Sequence, residues 1–203
     1  MQIDSTKKLN RSFYLKDTLE IAQQLLGKTF VRVLNGITLA GKITETEAYI
    51  GAIDESSHSF NGKTKRNEVM FADGGHLYVY FTYGMYFCAN VVTGKSGVGD
   101  AVLLRAMEPL IGVNELAKNR FGKHELNERE KVNLLNGPAK ICMAFNITKE
   151  NNGADLLGDD FFILDSPVVP EQEIVTTKRV GISKSKELPW RFYINNSKFI
   201  SRK

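Results

Sequence analysis

No stretch of this 203-residue chain is apolar for long enough to cross a bilayer, and Met1 to Arg11 is polar, without the apolar core of a secretory leader. The expectation is a soluble cytoplasmic protein. Cysteine is scarce: Cys88 and Cys142 lie in apolar surroundings and lack C-x-x-C spacing, which reads as two buried thiols of a reducing compartment. His58, His76 and His124 are far apart, with no H-x-x-x-H pair, so no metal site and no cofactor is expected. No serine occupies a G-x-S-x-G elbow and neither cysteine has a neighbouring base, which leaves nucleophilic hydrolysis unsupported. Gly62-Lys63-Thr64 resembles the end of a phosphate-binding loop, but Ser57 stands where that loop requires its first glycine. Linkers, internal repeats and low-complexity segments are also missing, so one domain is expected over residues 17–203, preceded by a loosely ordered arm over 1–16.

What is present leans basic. The net charge is +4 and the sequence pI about 9.0, a mild bias towards a polyanionic partner. Asp17-Thr18 caps a predicted amphipathic helix with Leu19, Ala22, Leu25 and Leu26 on one face and Gly27 as its stop. Lys28 to Leu34 alternates as a strand, Asn35-Gly36 is a hairpin turn, and Ile37 to Tyr49 returns as a long strand, so the sheet is predicted to be largely antiparallel. Strict alternation places Glu45, Glu47 and Tyr49 on the side of Ile43 unless a bulge intervenes. A polar loop follows over 51–75, with His58 and the basic cluster Lys63, Lys65 and Arg66. Ala101 to Met107 is an apolar strand broken by Arg105 alone. A helix is predicted over 112–120, then a charged, solvated segment over 123–131. Gly137-Pro138 opens another helix, in which Lys140 is placed to meet a phosphate. Strands at 160–164, 174–182 and 190–194 and a basic tail complete the chain.

The stretch from His76 to Asn90 holds four of the seven tyrosines. Leu77, Val79 and Phe81 alternate with Tyr78, Tyr80 and Thr82, and a second apolar run restarts after Tyr83-Gly84, which describes a β-hairpin with Tyr83 at its tip. A tyrosine wall, the amide of Asn90 and an aromatic at an exposed tip suit the stacking and reading of a flat heterocycle. The best candidate for chemistry is a carboxylate of Glu45-Thr46-Glu47: turned inwards beside such a hairpin it is desolvated, which raises its pKa and suits it to general-base work.

These residues resemble a known family. Gly41 to Tyr49, Asp54 to Ser59, Arg66-Asn67, Leu77 to Tyr80, Tyr83 to Cys88 with Asn90, Val102 to Pro109, Gly137 to Lys140, Arg179 to Ile182 and Arg191 to Tyr193 are together similar, in order and over nearly the whole chain, to the alkyladenine (3-methyladenine) DNA glycosylases. The resemblance implies a single α+β domain: a curved, largely antiparallel sheet, peripheral helices and a hairpin that inserts into DNA. It implies Glu47 as the base that activates water and Arg105 as its helper. Tyr49, His58 and Tyr80 become the walls of the base pocket, Asn90 its amide, and Tyr83 the wedge that fills the stack after the nucleotide is rotated out. Arg66 and Lys140 are candidate phosphate contacts. Thr82, where an aliphatic residue is common, and Ala89 before the pocket asparagine depart from the pattern and bear on pocket size. The implied partner is duplex DNA containing alkylated or deaminated purines, met by a monomer, at the nucleoid if the source is bacterial. A non-catalytic lesion or single-strand binder and a glycosidase of free nucleosides are the competing readings.

Overall fold

The computed structural model describes residues 3–82 and 84–202. Among the described residues, eight strands form one antiparallel sheet: β1 (Thr29–Leu34), β2 (Ile37–Tyr49), β3 (Leu77–Thr82), β4 (Tyr86–Thr93), β5 (Asp100–Ile111), β6 (Phe161–Leu164), β7 (Ile174–Thr177) and β8 (Arg191–Ile194). The main order is β3-β4-β5-β2-β1-β6, with β8 also on β2 and β7 on β8. The described residues also form five short α-helices: α1 (Arg11–Tyr14), α2 (Thr18–Gln24), α3 (Val113–Phe121), α4 (Glu128–Asn133) and α5 (Pro138–Ala144).

Strand β2 is the spine because it is long enough to serve two neighbours in succession. Its first half pairs with β1 through the Asn35-Gly36 turn, where both residues take positive φ (51° and 77°), as a tight hairpin turn requires. Its second half pairs with β8 over Glu45 to Glu47, and β5 runs along the other edge. Helix α2 begins where Asp17 accepts hydrogen bonds from the backbone N–H groups of Leu19 and Glu20. It and the turn after it bury Ile21, Ala22, Leu25 and Leu26 completely in the main apolar core. Each large aliphatic side chain removed from water there contributes about 1.5–3 kcal/mol.

The pairing of β2 with β5 shifts register three times, once at Ala40/Gly41 and twice between Ile43 and Thr46. The pairing passes from Ile43↔Met107 to Glu45↔Ala106 and then to Thr46↔Leu104, so Thr44 on β2 and Arg105 on β5 have no residue opposite them. Ile43 consequently joins the main apolar core, whereas Glu45 and Glu47 both turn to Arg105. Bulges of this kind redirect side chains next to functional sites.

Three stretches differ from the sequence reading. The segment expected as a loose arm contains α1, aligns its backbone with β6 through Leu9 N–H to the Ile163 carbonyl, and buries Tyr14 fully. Gly74 and Gly75 permit this, since a Cβ on either would collide with Tyr14. The strand expected over 174–182 ends at Thr177, because Arg179 turns inwards to Asp54 and Gly181 takes φ 79°. The basic tail is anchored, with Phe199 and Ile200 buried. No helix among the described residues is long and apolar enough to cross a membrane.

Candidate active site

The hairpin strands β3 and β4, the end of β2, the middle of β5 and the loop after β7 converge on a cleft of about 750 Å³. Tyr49, His58, Tyr80, Asn90 and Arg105, five of the residues singled out in the sequence, line it together with Tyr78 and Cys88. Tyr80 lies opposite Cys88 in the β3–β4 register, stacks on Tyr78 (centroids 5.7 Å apart, 28° between planes) and makes a T-shaped contact with His58 at 4.5 Å. His58 Nδ1 and the Tyr78 hydroxyl share a hydrogen bond of 3.0 Å. Burial, and then the charge of Arg66, pull the His58 pKa below its ordinary value, so the imidazole is neutral at neutral pH. Burial drives the Tyr78 phenol up to about 12. Asn90 is fixed by donating its Nδ2 to the Tyr78 carbonyl at 3.2 Å.

Glu47 is fully buried and does not itself line the cleft. Its Oε1 accepts from the backbone N–H of Val180 at 2.8 Å, and its Oε2 accepts from the Tyr49 hydroxyl at 2.9 Å and faces Arg105 Nη1 at 3.2 Å. All three of these neighbours line the cleft. Desolvation raises the Glu47 pKa; Arg105, the Val180 N–H and the Tyr49 hydroxyl pull it back only in part, and Glu45 pushes it further up. Burial would lower the Arg105 pKa, but Glu47 and Glu45 outweigh it and raise it instead. The arrangement is a desolvated carboxylate with a guanidinium to balance its charge, set behind the wall of an aromatic slot.

Several contributors were not foreseen as site residues. Val180 and the following residues to Lys184 form one wall, and Pro138-Ala139 of α5 another. Glu45, the other carboxylate of the Glu45-Thr46-Glu47 stretch singled out in the sequence, shares Arg105 with Glu47 and is also fully buried. Asp54 and Arg179 form an ion pair whose side chains are wholly inaccessible. Arg179 also donates to the Ala48 and Ser185 carbonyls and rests against the Tyr49 ring at 4.7 Å and Trp190 at 5.2 Å. The signal available in sequence was an acidic and a basic residue inside the loops that flank the site. Lys184, at the rim, pairs with Glu55 at 3.1 Å, and both are more than half exposed.

The two expected phosphate contacts are placed differently. Arg66 lies on the exposed loop beside β3 and donates to the Phe81 carbonyl at 3.3 Å. Lys140 is half-buried, and two of the three N–H donors of its ammonium are taken by the side-chain oxygens of Asn133 and Asn136. Tyr83 lies outside the described residues.

Comparison with known proteins shows which family the chain belongs to. The sequence profile of the methylpurine-DNA glycosylase family matches residues 12–198. The chain belongs to the methylpurine-DNA glycosylase family. It is 48% identical over 203 residues to a protein of Clostridium novyi (strain NT), covering 97% of this chain and all of the relative. It is 48% identical over 202 residues to one of Alkaliphilus oremlandii (strain OhILAs), with 97% and 100% covered. A protein of Clostridium perfringens (strain SM101 / Type A) is 47% identical over 204 residues, with the same coverage. All three carry the provisional name 3-methyladenine DNA glycosylase. In this methylpurine-DNA glycosylase the cleft brings together the aromatic side chains of Tyr49, Tyr78 and Tyr80, the His58 imidazole and the Asn90 amide, with the buried Glu47 carboxylate behind them.

Proposed function

We propose that this methylpurine-DNA glycosylase is monofunctional and hydrolyses the N-glycosidic bond of alkylated purines, above all 3-methyladenine, in duplex DNA. The observation that carries the reading is the fully buried Glu47, its pKa raised, with all three of its polar neighbours on the wall of an aromatic cleft. A lesion binder has no use for a buried carboxylate that costs stability. A glycosylase needs one.

The glycosidic bond is inaccessible inside the duplex, so the nucleotide must be rotated out of the stack into the cleft. Tyr83, by its place in the sequence, fills the gap left behind. Arg66, and Lys140 through the remaining donor of its ammonium, hold the backbone. Glu47 accepts a proton from water as the water oxygen bonds to C1′. The bond from C1′ to the purine nitrogen breaks, and its electron pair neutralises the positive charge of the alkylated base. The leaving group therefore needs no acid. Arg105 Nη1 holds the carboxylate in its ionised form and helps orient the water. Because the attacking group is water, no Schiff base and no strand cleavage belong to this mechanism.

The slot is expected to favour a cationic base over a neutral one. Tyr80 offers an electron-rich face worth about 0.5–2 kcal/mol to a cation, whereas the Tyr49 ring is already in contact with Arg179. A neutral purine such as hypoxanthine lacks an acid to protonate it, because Glu47 must be ionised. Single-turnover rates on matched duplexes should be higher for 3-methyladenine than for hypoxanthine, and Tyr80→Ala should narrow the gap. Faster release of hypoxanthine would overturn the charge-selective pocket.

The pH dependence follows from the direction of the Glu47 shift. The base works only when ionised, so activity is lost as the pH falls through its raised folded-state pKa. A one-proton acid limb with a midpoint above that of a solvated glutamate is expected in the single-turnover rate. An acid limb at the ordinary glutamate value would contradict a desolvated base.

A further inference from the structure

The arginine beside the proposed base is itself held from behind. Arg105 Nε donates to Glu45 Oε1 at 3.1 Å, and its Nε and Nη2 reach Ser201 Oγ at 3.3 and 3.0 Å. Nη1 is thereby left to face Glu47. The Ser201 hydroxyl donates in turn to Glu45 Oε1 at 2.8 Å, and its backbone N–H donates to Glu45 Oε2. Glu45 also receives Arg191 Nε at 2.7 Å. One fully buried carboxylate thus balances two guanidinium groups, of which Arg105 alone reaches Glu47. Ser201 is brought here by the C-terminal segment, which is fastened separately. The Thr44 hydroxyl donates to the Phe199 carbonyl, and Arg191 Nη2 to the Arg202 carbonyl.

A guanidinium is a rigid planar fork, so fixing its Nε and Nη2 edge fixes the direction of Nη1. We infer that Ser201 is a positioning residue for the reaction: its hydroxyl bridges Glu45 and Arg105 and so aims Arg105 Nη1 at Glu47. The inference rests on the reading of Glu47 as the base. Without the hydroxyl, Arg105 keeps its bond to Glu45 but loses the contacts that stop its plane from tilting, and Nη1 retreats from Glu47. The charged and titratable groups around Glu47 are Arg105, Glu45, Tyr49, Tyr80, Arg179 and, across the β2–β8 pair, Arg191. Among these, Arg105 is the cation in direct contact with the carboxylate, and it is the one that Ser201 holds. Its retreat moves the acid limb of the rate upwards in pH.

The test compares Ser201→Ala, which removes the hydroxyl without adding bulk, with Ser201→Thr, which keeps it, in the full chain on duplex DNA carrying one 3-methyladenine. Ser201→Ala is expected to be about tenfold slower in single turnover at neutral pH, its acid limb displaced upwards and its affinity for the lesion duplex within about threefold of wild type. Ser201→Thr is expected to retain the wild-type midpoint. Thr44→Val removes a different anchor of the same segment; it is expected to lower the melting temperature without moving the midpoint. Equal midpoints for Ser201→Ala and wild type, or an equal displacement in Thr44→Val, would overturn the inference. Glu47→Gln, measured in parallel, separates the two levels. An inactive Glu47→Gln beside a normal Ser201→Ala removes only the role of Ser201, whereas an active Glu47→Gln removes the proposed function beneath it.

Discussion

Replacing Glu47 by glutamine is expected to lower the single-turnover excision rate by about 10² to 10⁴, the range that general-base catalysis supplies. Binding to DNA that contains a lesion or abasic analogue should survive, because the cleft is lined by Tyr49, His58, Tyr80 and Asn90 and not by Glu47 itself. Stability should move the other way from activity. Burial raises the Glu47 pKa, so the folded state prefers the protonated carboxyl. The stability this group contributes is fully present below its unfolded pKa and is lost as the pH rises through the folded value. At neutral pH the ionised carboxylate is therefore a liability to the fold, and the neutral glutamine is expected to melt no lower than wild type. Thermal melts and excision rates on the same preparation check both halves. A variant that excises within about threefold of wild type removes Glu47 from the catalytic role. One that is inactive and melts well below wild type indicates that the glutamate is structural.

The second large effect is expected at Asp54. This residue and Arg179 are wholly buried against each other, and Arg179 ties the loop after β2 to the loop after β7. Asp54→Ala leaves a guanidinium in the interior without its counter-charge, which costs about 3–5 kcal/mol. For a chain of this size that is a fall of roughly 6 to 20 °C in melting temperature. The loop after β7 carries Val180, which donates to Glu47, so excision at temperatures below the transition should fall as well. Glu55→Ala provides the contrast: it breaks the exposed pair with Lys184 one residue further on and should cost no more than about 1 kcal/mol. A melting temperature for Asp54→Ala close to that of Glu55→Ala would mean that Arg179 finds another partner and the two loops are not pinned as described.

Local chemistry accounts for the parts of this fold that the sequence reveals. Asn35-Gly36 can make only a tight turn, Asp17 precedes an apolar helical period, and Pro138 suits the first residue of α5, so these elements lie where their residues predict. What escapes is decided by contacts distant in sequence. The residues of α1 are polar or isolated in their own neighbourhood; Arg11 finds Asp155, 144 positions away, and Tyr14 finds two glycines that leave room for it. The same holds for β7, which stops early because Arg179 is claimed by Asp54, and for the C-terminal segment, whose Ser201 bonds to Glu45. Period-two alternation brought Glu45, Glu47 and Tyr49 to one side but carried Ile43 with them. The opposed bulges at Thr44 and Arg105 depend on the pairing of two strands and have no signature in either one alone. The aromatic lining was legible because tyrosine, histidine and asparagine recur at strand spacing in one hairpin and the loop before it. The loop over 180–184 was not, because it reads as the continuation of an apolar strand.

The central claim is that Glu47 drives water onto the glycosidic carbon of a flipped, alkylated purine. The most direct measurement is the product analysis of a methylated duplex incubated with the protein in the presence of a chelator and borohydride. The account predicts free 3-methyladenine, an intact strand bearing an abasic site, and no protein cross-linked to DNA, with all release abolished in Glu47→Gln. Tight binding of the lesion without release would make the protein a damage binder, and a trapped covalent adduct with strand cleavage would replace the activated water by an amine nucleophile.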